Sequence, residues 1–178
     1  MHELPPDDHD PSKNQHPPVC VVYLIRSGPD GDEVLLGEKR RGLGAGRVVG
    51  PGGKREAGET AVETAVRETR EEIGVTIEAS GLEARGTIDY RFPFRPSWSQ
   101  LSDVFVARRW VGDPMGSDEL VPRWIPVDEV PYESMWDDAR YWLPAVLRGG
   151  RVDARFTFAE DCATVAGFSG SGVERPQS

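Results

Sequence analysis

Cysteine is almost missing from this chain: Cys20 and Cys162 are the only two in 178 residues, and neither has a partner at metal-ligand spacing. That excludes a disulfide scaffold and a thiolate metal centre, and a reducing, cytoplasmic compartment is the natural expectation. Lysine is scarce (Lys13, Lys39 and Lys54), and positive charge as a whole is outweighed, 21 Lys and Arg against 30 Asp and Glu, for a net charge of −9. A surface of that sign argues against a nucleic-acid polymer or an anionic membrane face as partner. Long apolar runs are lacking too. The longest, Val19 to Ile25, falls far short of the roughly 20 residues of a membrane span. The opening MHELPPDDHD has neither the basic nor the apolar region of a secretory leader.

Residues 1–18 hold five prolines, four acidic residues and three histidines. Such a composition cannot bury enough surface to offset its ordering entropy, so a disordered tail is expected. The last ten residues, 169–178, read as a loose C-terminal tail, leaving one folded domain over 19–168. Within it, Val19–Ile25 is β-branched and nearly continuous, as suits a strand buried on both faces. Gly28-Pro-Asp-Gly-Asp32 is a turn, with Glu33–Arg40 returning as the second arm of a hairpin. Residues 42–53 are a glycine-rich loop. Further strands are expected at Glu83–Arg91, Leu101–Trp110 and Val121–Pro126, a helix at Trp136–Leu147 with Trp142, Ala145 and Val146 inward, and a closing hairpin at Arg151–Phe158 and Asp161–Phe168. Strands interleaved with two helical segments give a mixed α/β architecture.

The chemistry concentrates between Gly53 and Val75. Thr60 with Glu63 forms a capping box that starts a helix, and Gly74 is the expected left-handed stop. At 100° per residue, Val62, Ala65, Val66, Thr69 and Ile73 form the core stripe. Glu68, Glu71 and Glu72 stand at i, i+3 and i+4, so their carboxylates share another face, about a third of a turn away. Like charges at that spacing repel, and the C-terminal half of a helix disfavours anions. A solvated acidic face is the plain explanation of such a cluster. The alternative is a Mg²⁺ site, since that ion takes oxygen ligands and completes its octahedron with waters and phosphates. Glu59, in the preceding loop, extends the partial shell, and Arg67 is placed to hold it.

These residues match a family pattern. The Nudix box reads G-x5-E-x7-R-E-U-x-E-E-x-G-U, where U is bulky and aliphatic, and here it is Gly53, Glu59, Arg67, Glu68, Thr69, Arg70, Glu71, Glu72, Gly74 and Val75, with Thr69 the single departure. Beyond the box, Val34–Lys54, Ser117-Asp-Glu-Leu120, Trp124, Met135-Trp-Asp-Asp138 and Tyr141-Trp142 resemble the oxidised-purine nucleoside triphosphate diphosphatase branch of that family. The resemblance spans nearly all of Val19–Phe168 and implies a Nudix-type α/β/α sandwich with a mixed β-sheet. It also implies removal of pyrophosphate from damaged purine triphosphates such as 8-oxo-dGTP, with Mg²⁺, or Mn²⁺ in its place, as cofactor and a small nucleotide as partner.

Carried over residue by residue, Glu68, Glu71 and Glu72 would bind the metal, supported by Glu59 with Arg67, and Glu119 resembles the acidic residue that completes the site. Glu71, Glu72 and Glu119 all remain candidates for taking the water's proton. Gly52 and Gly53 would let phosphates approach the backbone. Lys39 and Leu43 match pocket walls, Trp136 the ring that stacks on the base, and Asp138 the carboxyl that bonds its edge. The chain departs from the branch where Val49 replaces an Asn, Val48 a Trp, Pro51 a Phe and Ala139 a second Asp. Those losses keep open a second substrate class: ADP-ribose, a nucleotide sugar or a dinucleoside polyphosphate. A nucleotide-binding module without catalysis is the third possibility. Oligomeric state is not legible.

Overall fold

The computed structural model describes residues 17–176; the expected N-terminal tail lies outside them, apart from Pro17 and Pro18. Nine strands form one mixed sheet: β1 Val19–Gly28, β2 Gly31–Lys39, β3 Val48–Val49, β4 Gly52–Lys54, β5 Leu82–Arg91, β6 Gln100–Ala107, β7 Leu120–Pro126, β8 Val152–Phe158 and β9 Val165–Ser171. Their spatial order is β3-β2-β1-β6-β5-β8-β9, with β4 paired to β1 and β7 to β2. β1 lies parallel to β6 and β5 parallel to β8, while the other pairs are antiparallel. Helices α1 (Ala61–Ile73) and α2 (Ala139–Leu147) cover opposite faces.

The reason is visible along β1. Side chains alternate across a strand, so Cys20, Val22 and Leu24 join Ala65 and Ile73 of α1 in one core, whereas Tyr23 and Ile25 join Trp142, Leu143 and Val146 of α2 in the other. A strand this apolar at every position is stable only with cover on both sides. The β1–β2 turn, the capping box at Thr60 and the left-handed Gly74 (φ 73°) form as the sequence predicts.

Several expectations change, among them the loop expected over 42–53, which contains β3 and the start of β4. Glu72 does not stand with a separate acidic face: it lies about 20° from Ala65 around the axis and is buried with Thr64, Ala65, Thr69 and Ile73, while Val62 and Val66 are only half-buried. α2 begins at Ala139 rather than Trp136, because Met135–Asp138 forms the turn that enters it. Its inward residues are Trp142, Leu143, Val146 and Leu147, with Ala145 half-buried. At the C-terminus, β9 continues through Ser169–Ser171, and the Glu174 N–H donates to the Tyr141 carbonyl at 2.8 Å. The glycines and serines there add no core, but the backbone ladder to β8 orders them. At the other end, the Pro18 carbonyl accepts from the Arg55 N–H, so Pro18, expected in the tail, is tied to the residue after β4. Among the described residues, no helix is long and apolar enough to cross a membrane.

Candidate active site

β4 and α1 bring the first half of the site together. Glu72 Oε2 accepts the Gly52 N–H at 3.0 Å, which ties the last turn of the helix to the strand that precedes it. Burial pushes the Glu72 carboxyl up to about 7; the Gly52 N–H opposes the shift, and the Glu68 and Glu119 charges add to it. Glu68 is raised as well, first by burial and against the pull of Arg67. Two inward carboxylates that burden each other in this way gain no stability from their position.

Arg67 organises the opposite side. Its Nε donates to Glu59 Oε1 at 2.5 Å and its Nη2 to Glu59 Oε2 at 3.0 Å, the forked pairing that arginine forms with a carboxylate. Nη1 reaches Glu68 at 2.8 Å and Glu71 at 3.2 Å, and Nη2 also donates to the Lys54 carbonyl. The guanidinium holds Glu59 down to about 2, helped by the Glu56 N–H and the Thr64 hydroxyl.

The five glutamates therefore divide. Glu68, Glu72 and Glu119 line a cavity of about 630 Å³, whereas Glu59 and Glu71 stand with Arg67 outside its lining, Glu71 largely in solvent. As they stand, no three Asp, Glu, His or Cys side chains among the described residues are arranged to hold a metal ion, and Arg67 Nη1 donates to an oxygen of both Glu68 and Glu71. The donor set nevertheless fits a hard divalent cation. It is all carboxylate oxygen, and a Cβ on Gly53 would overlap the Glu68 carboxyl group, so the glycine leaves room for that carboxyl rather than for a phosphate.

That packing separates two neighbouring glycines. The atoms nearest a Cβ on Gly53 are the end of the Glu68 side chain, whereas one on Gly52 would overlap the Cys20 backbone carbonyl across the β1–β4 pairing. Gly53→Ala is expected to lower turnover roughly tenfold while leaving the melting temperature within about 3 °C of wild type. Gly52→Ala is expected to lower the melting temperature itself by more than 5 °C, because backbone cannot move aside as a side chain can. Thermal melts and initial rates on the two variants check this contrast.

The remaining candidates line the same cavity: Lys39, Leu43, Val49, Gly52, Gly53, Trp136 and Asp138. Trp136 sits on the turn before α2. Of the two aspartates that follow it, Asp137 turns away, accepting the Val165 N–H at 2.8 Å and pairing with Arg140. Asp138 turns inward and is 1 % exposed. It occupies the N-cap position of α2 without capping it; its Oδ2 instead accepts Trp142 Nε1 at 2.7 Å and the Tyr90 hydroxyl at 3.0 Å. Its Oδ1 is buried with no partner. Burial pushes this carboxyl up to about 6, against the pull of the Trp142 and Tyr90 hydrogen bonds. Val48, Val49 and Ala139, where the branch carries larger or polar groups, line the same cavity with small apolar side chains.

Sequence reasoning missed several lining aromatics: Tyr23, Tyr90, Phe92, Trp98, Trp142 and Phe158. The alternation of Ile88, Tyr90 and Phe92 was a usable signal. Trp98 had none, since it belongs to the connection between β5 and β6.

Asp138→Asn separates stability from binding. The amide keeps an oxygen for the Trp142 and Tyr90 donors and removes a buried charge. A carboxyl raised from its ordinary 3.8 to about 6 destabilises the fold fully above pH 6, and the penalty fades as the pH falls from 6 toward 4. Asp138→Asn is expected to melt above wild type at pH 8, by at most about 3 kcal/mol, with the gap closing by pH 4. Melts across that range check the sign.

Comparison with known proteins places the chain in a family. The NUDIX domain matches residues 14–146. The oxidized purine nucleoside triphosphate hydrolase of Danio rerio is 39% identical over 142 residues, covering 79% of this chain and 85% of that protein. Its Mus musculus namesake is 38% identical over 138 residues, covering 76% and 85%. Among solved structures, a MutT protein from Bacillus halodurans superposes with a TM-score of 0.69 at 27% identity, over 85% of this chain and 95% of that one. With a family match over most of its length and the box folded as loop, helix and glycine stop, this chain belongs to the Nudix hydrolase family.

Proposed function

We propose that the chain hydrolyses nucleoside triphosphates to a monophosphate and pyrophosphate, acting in the cytoplasm on oxidised purine nucleotides such as 8-oxo-dGTP. The observation that carries this reading is that one cavity has both ends of such a substrate provided for. Glu68, Glu72, Glu119 and Lys39 line one part, and Trp136, Asp138 and an aromatic surround line the other. The relatives that bear the name oxidized purine nucleoside triphosphate hydrolase support the substrate class.

Glu68, Glu72 and Glu119 are the residues that would hold Mg²⁺, with Glu71 joining them if Arg67 releases it. Such an ion, when bound, neutralises charge on phosphate oxygens and lowers the pKa of a coordinated water. The chain's own groups do the rest. Gly53 leaves room for the Glu68 carboxyl against the strand, and Lys39 offsets the charge of the phosphates. The attacking water's proton passes to a carboxylate that lines the cavity, Glu72 or Glu119, rather than to Glu71. Arg67 keeps Glu59 and Glu68 in place. Trp136 stacks on the base, and the free Oδ1 of Asp138 accepts an N–H from its edge.

A second reading, hydrolysis of ADP-ribose, a nucleotide sugar or a dinucleoside polyphosphate, is favoured by Val49 and Ala139, which remove polar contacts from the base end. Purified protein with Mg²⁺ and a substrate panel separates the two. Pyrophosphate with a nucleoside monophosphate, fastest from 8-oxo-dGTP, supports the first reading. AMP with a sugar phosphate and no cleavage of triphosphates overturns it in favour of the second.

A further inference from the structure

Trp98 enters the cavity from the 3₁₀ turn Pro96–Trp98, in the connection between β5 and β6. The turn is well tied: Arg95 N–H donates to the Phe92 carbonyl, Trp98 N–H to Arg95, Ser99 N–H to Pro96, and Phe92 N–H to the Ser99 hydroxyl at 2.9 Å. The indole of Trp98 stands 6.4 Å from that of Trp136 at an interplanar angle of 85°, and 5.7 Å from Phe92 at 76°. Each indole also carries a guanidinium over one face, Arg47 at 4.2 Å from Trp136 and Arg95 at 4.4 Å from Trp98. Both indoles line the cavity and neither arginine does, so the guanidinium groups back the outer faces. Arg47 is itself fixed by donating to the Met135 carbonyl at 3.2 Å.

We propose that Trp98 is a base-specificity residue: with Trp136 it forms a right-angled aromatic corner that takes the bicyclic ring of a purine, and Arg47 and Arg95 are positioning residues that hold the two indoles. The proposal rests on reading the cavity as a nucleotide site. One stacking surface accepts any base, because every base has a π-face. A second ring at right angles meets the edge of the stacked base, and a purine reaches further toward it than a pyrimidine. Val48, Val49 and Ala139 line the cavity without side-chain hydrogen-bonding groups. Ring size therefore adds to whatever selection hydrogen bonding provides.

The test compares 8-oxo-dGTP, dGTP and dCTP as substrates, with inorganic tripolyphosphate as a competitive inhibitor that reports the phosphate end alone. Trp98→Ala is expected to raise KM for both purine triphosphates roughly tenfold, with kcat within threefold of wild type and with KM for dCTP and Ki for tripolyphosphate within twofold. Trp98→Phe should fall between, and Arg95→Ala should give the same pattern at smaller amplitude. Equal losses for purine and pyrimidine, a shift in the tripolyphosphate Ki, or no change in any KM would overturn the proposal. Should Trp98→Ala fail to fold, Trp98→Phe and Arg95→Ala read the same pattern. Quenching of tryptophan emission by 8-oxo-dGMP against dCMP needs no turnover. A wild-type protein that cleaves no triphosphate but is quenched more strongly by the purine, a preference Trp98→Phe weakens, refutes the proposed hydrolysis and keeps the corner; equal quenching by both nucleotides refutes the corner.

Discussion

Glu72→Gln is expected to lower kcat about 10³-fold and, in EDTA, to raise the melting temperature. Both effects follow from one arrangement. The side chain is 9% exposed, its Oε2 is satisfied by the Gly52 N–H, and burial together with Glu68 and Glu119 disfavours its charge. A glutamine keeps the oxygen for Gly52 and removes the charge, so the fold loses a strained group. Catalysis loses a ligand and a candidate proton acceptor, each of which carries factors of 10²–10⁴ in comparable sites, an order-of-magnitude range. Melts with and without EDTA and single-substrate kinetics check both halves. A Glu72→Gln protein that turns over within a few-fold of wild type would remove Glu72 from the site.

Arg67→Ala is expected to act in the opposite sense on stability and in the same sense on turnover. Removing the guanidinium leaves Glu59, Glu68 and Glu71 without the donors they share, and also frees the Lys54 carbonyl. Breaking such a network leaves uncompensated partly buried charge, and a fall in melting temperature of roughly 10 °C is expected, with turnover down about 100-fold because Glu59 and Glu68 lose their positions. Arg67→Lys keeps the charge but not the fork, so it should recover only part of either loss. Calorimetric melts on both variants at low salt measure the effect. An Arg67→Ala protein as stable as wild type would show that the glutamates never depended on it.

What was legible in the sequence was local. The Thr60–Glu63 box and Gly74 fix the ends of α1 through hydrogen bonds within a few residues, and the unbroken apolar run of β1 announced cover on both faces. The box itself was readable because its spacing is set by one helix and one loop. What failed depended on partners far along the chain. Glu72 lies on the buried side of α1 by its helical angle, and what the sequence did not show is the Gly52 N–H of β4 that holds its carboxyl. Asp137 and Asp138, identical in type and adjacent, separate because β9 offers an N–H to one and β5 with α2 surround the other. Trp98 becomes a cavity wall through the Phe92–Ser99 turn, and the glycine- and serine-rich end of β9 is ordered by its ladder alone. Glu68, Glu72 and Glu119 line the cavity while Arg67 joins Glu59, Glu68 and Glu71, and this sharing of Glu68 could not be read from helical angles.

We propose that the inward carboxylates of α1 are tolerated because a divalent cation binds them. Calorimetric titration of MgCl₂ into wild-type protein, Glu68→Gln and Glu72→Gln, each with a non-hydrolysable nucleoside triphosphate present, tests it most directly. The account predicts saturable binding to wild type, accompanied by a higher melting temperature as linkage requires, and at least tenfold weaker binding to either variant. Wild type that takes up no magnesium, or variants that bind it as well as wild type does, would contradict the account.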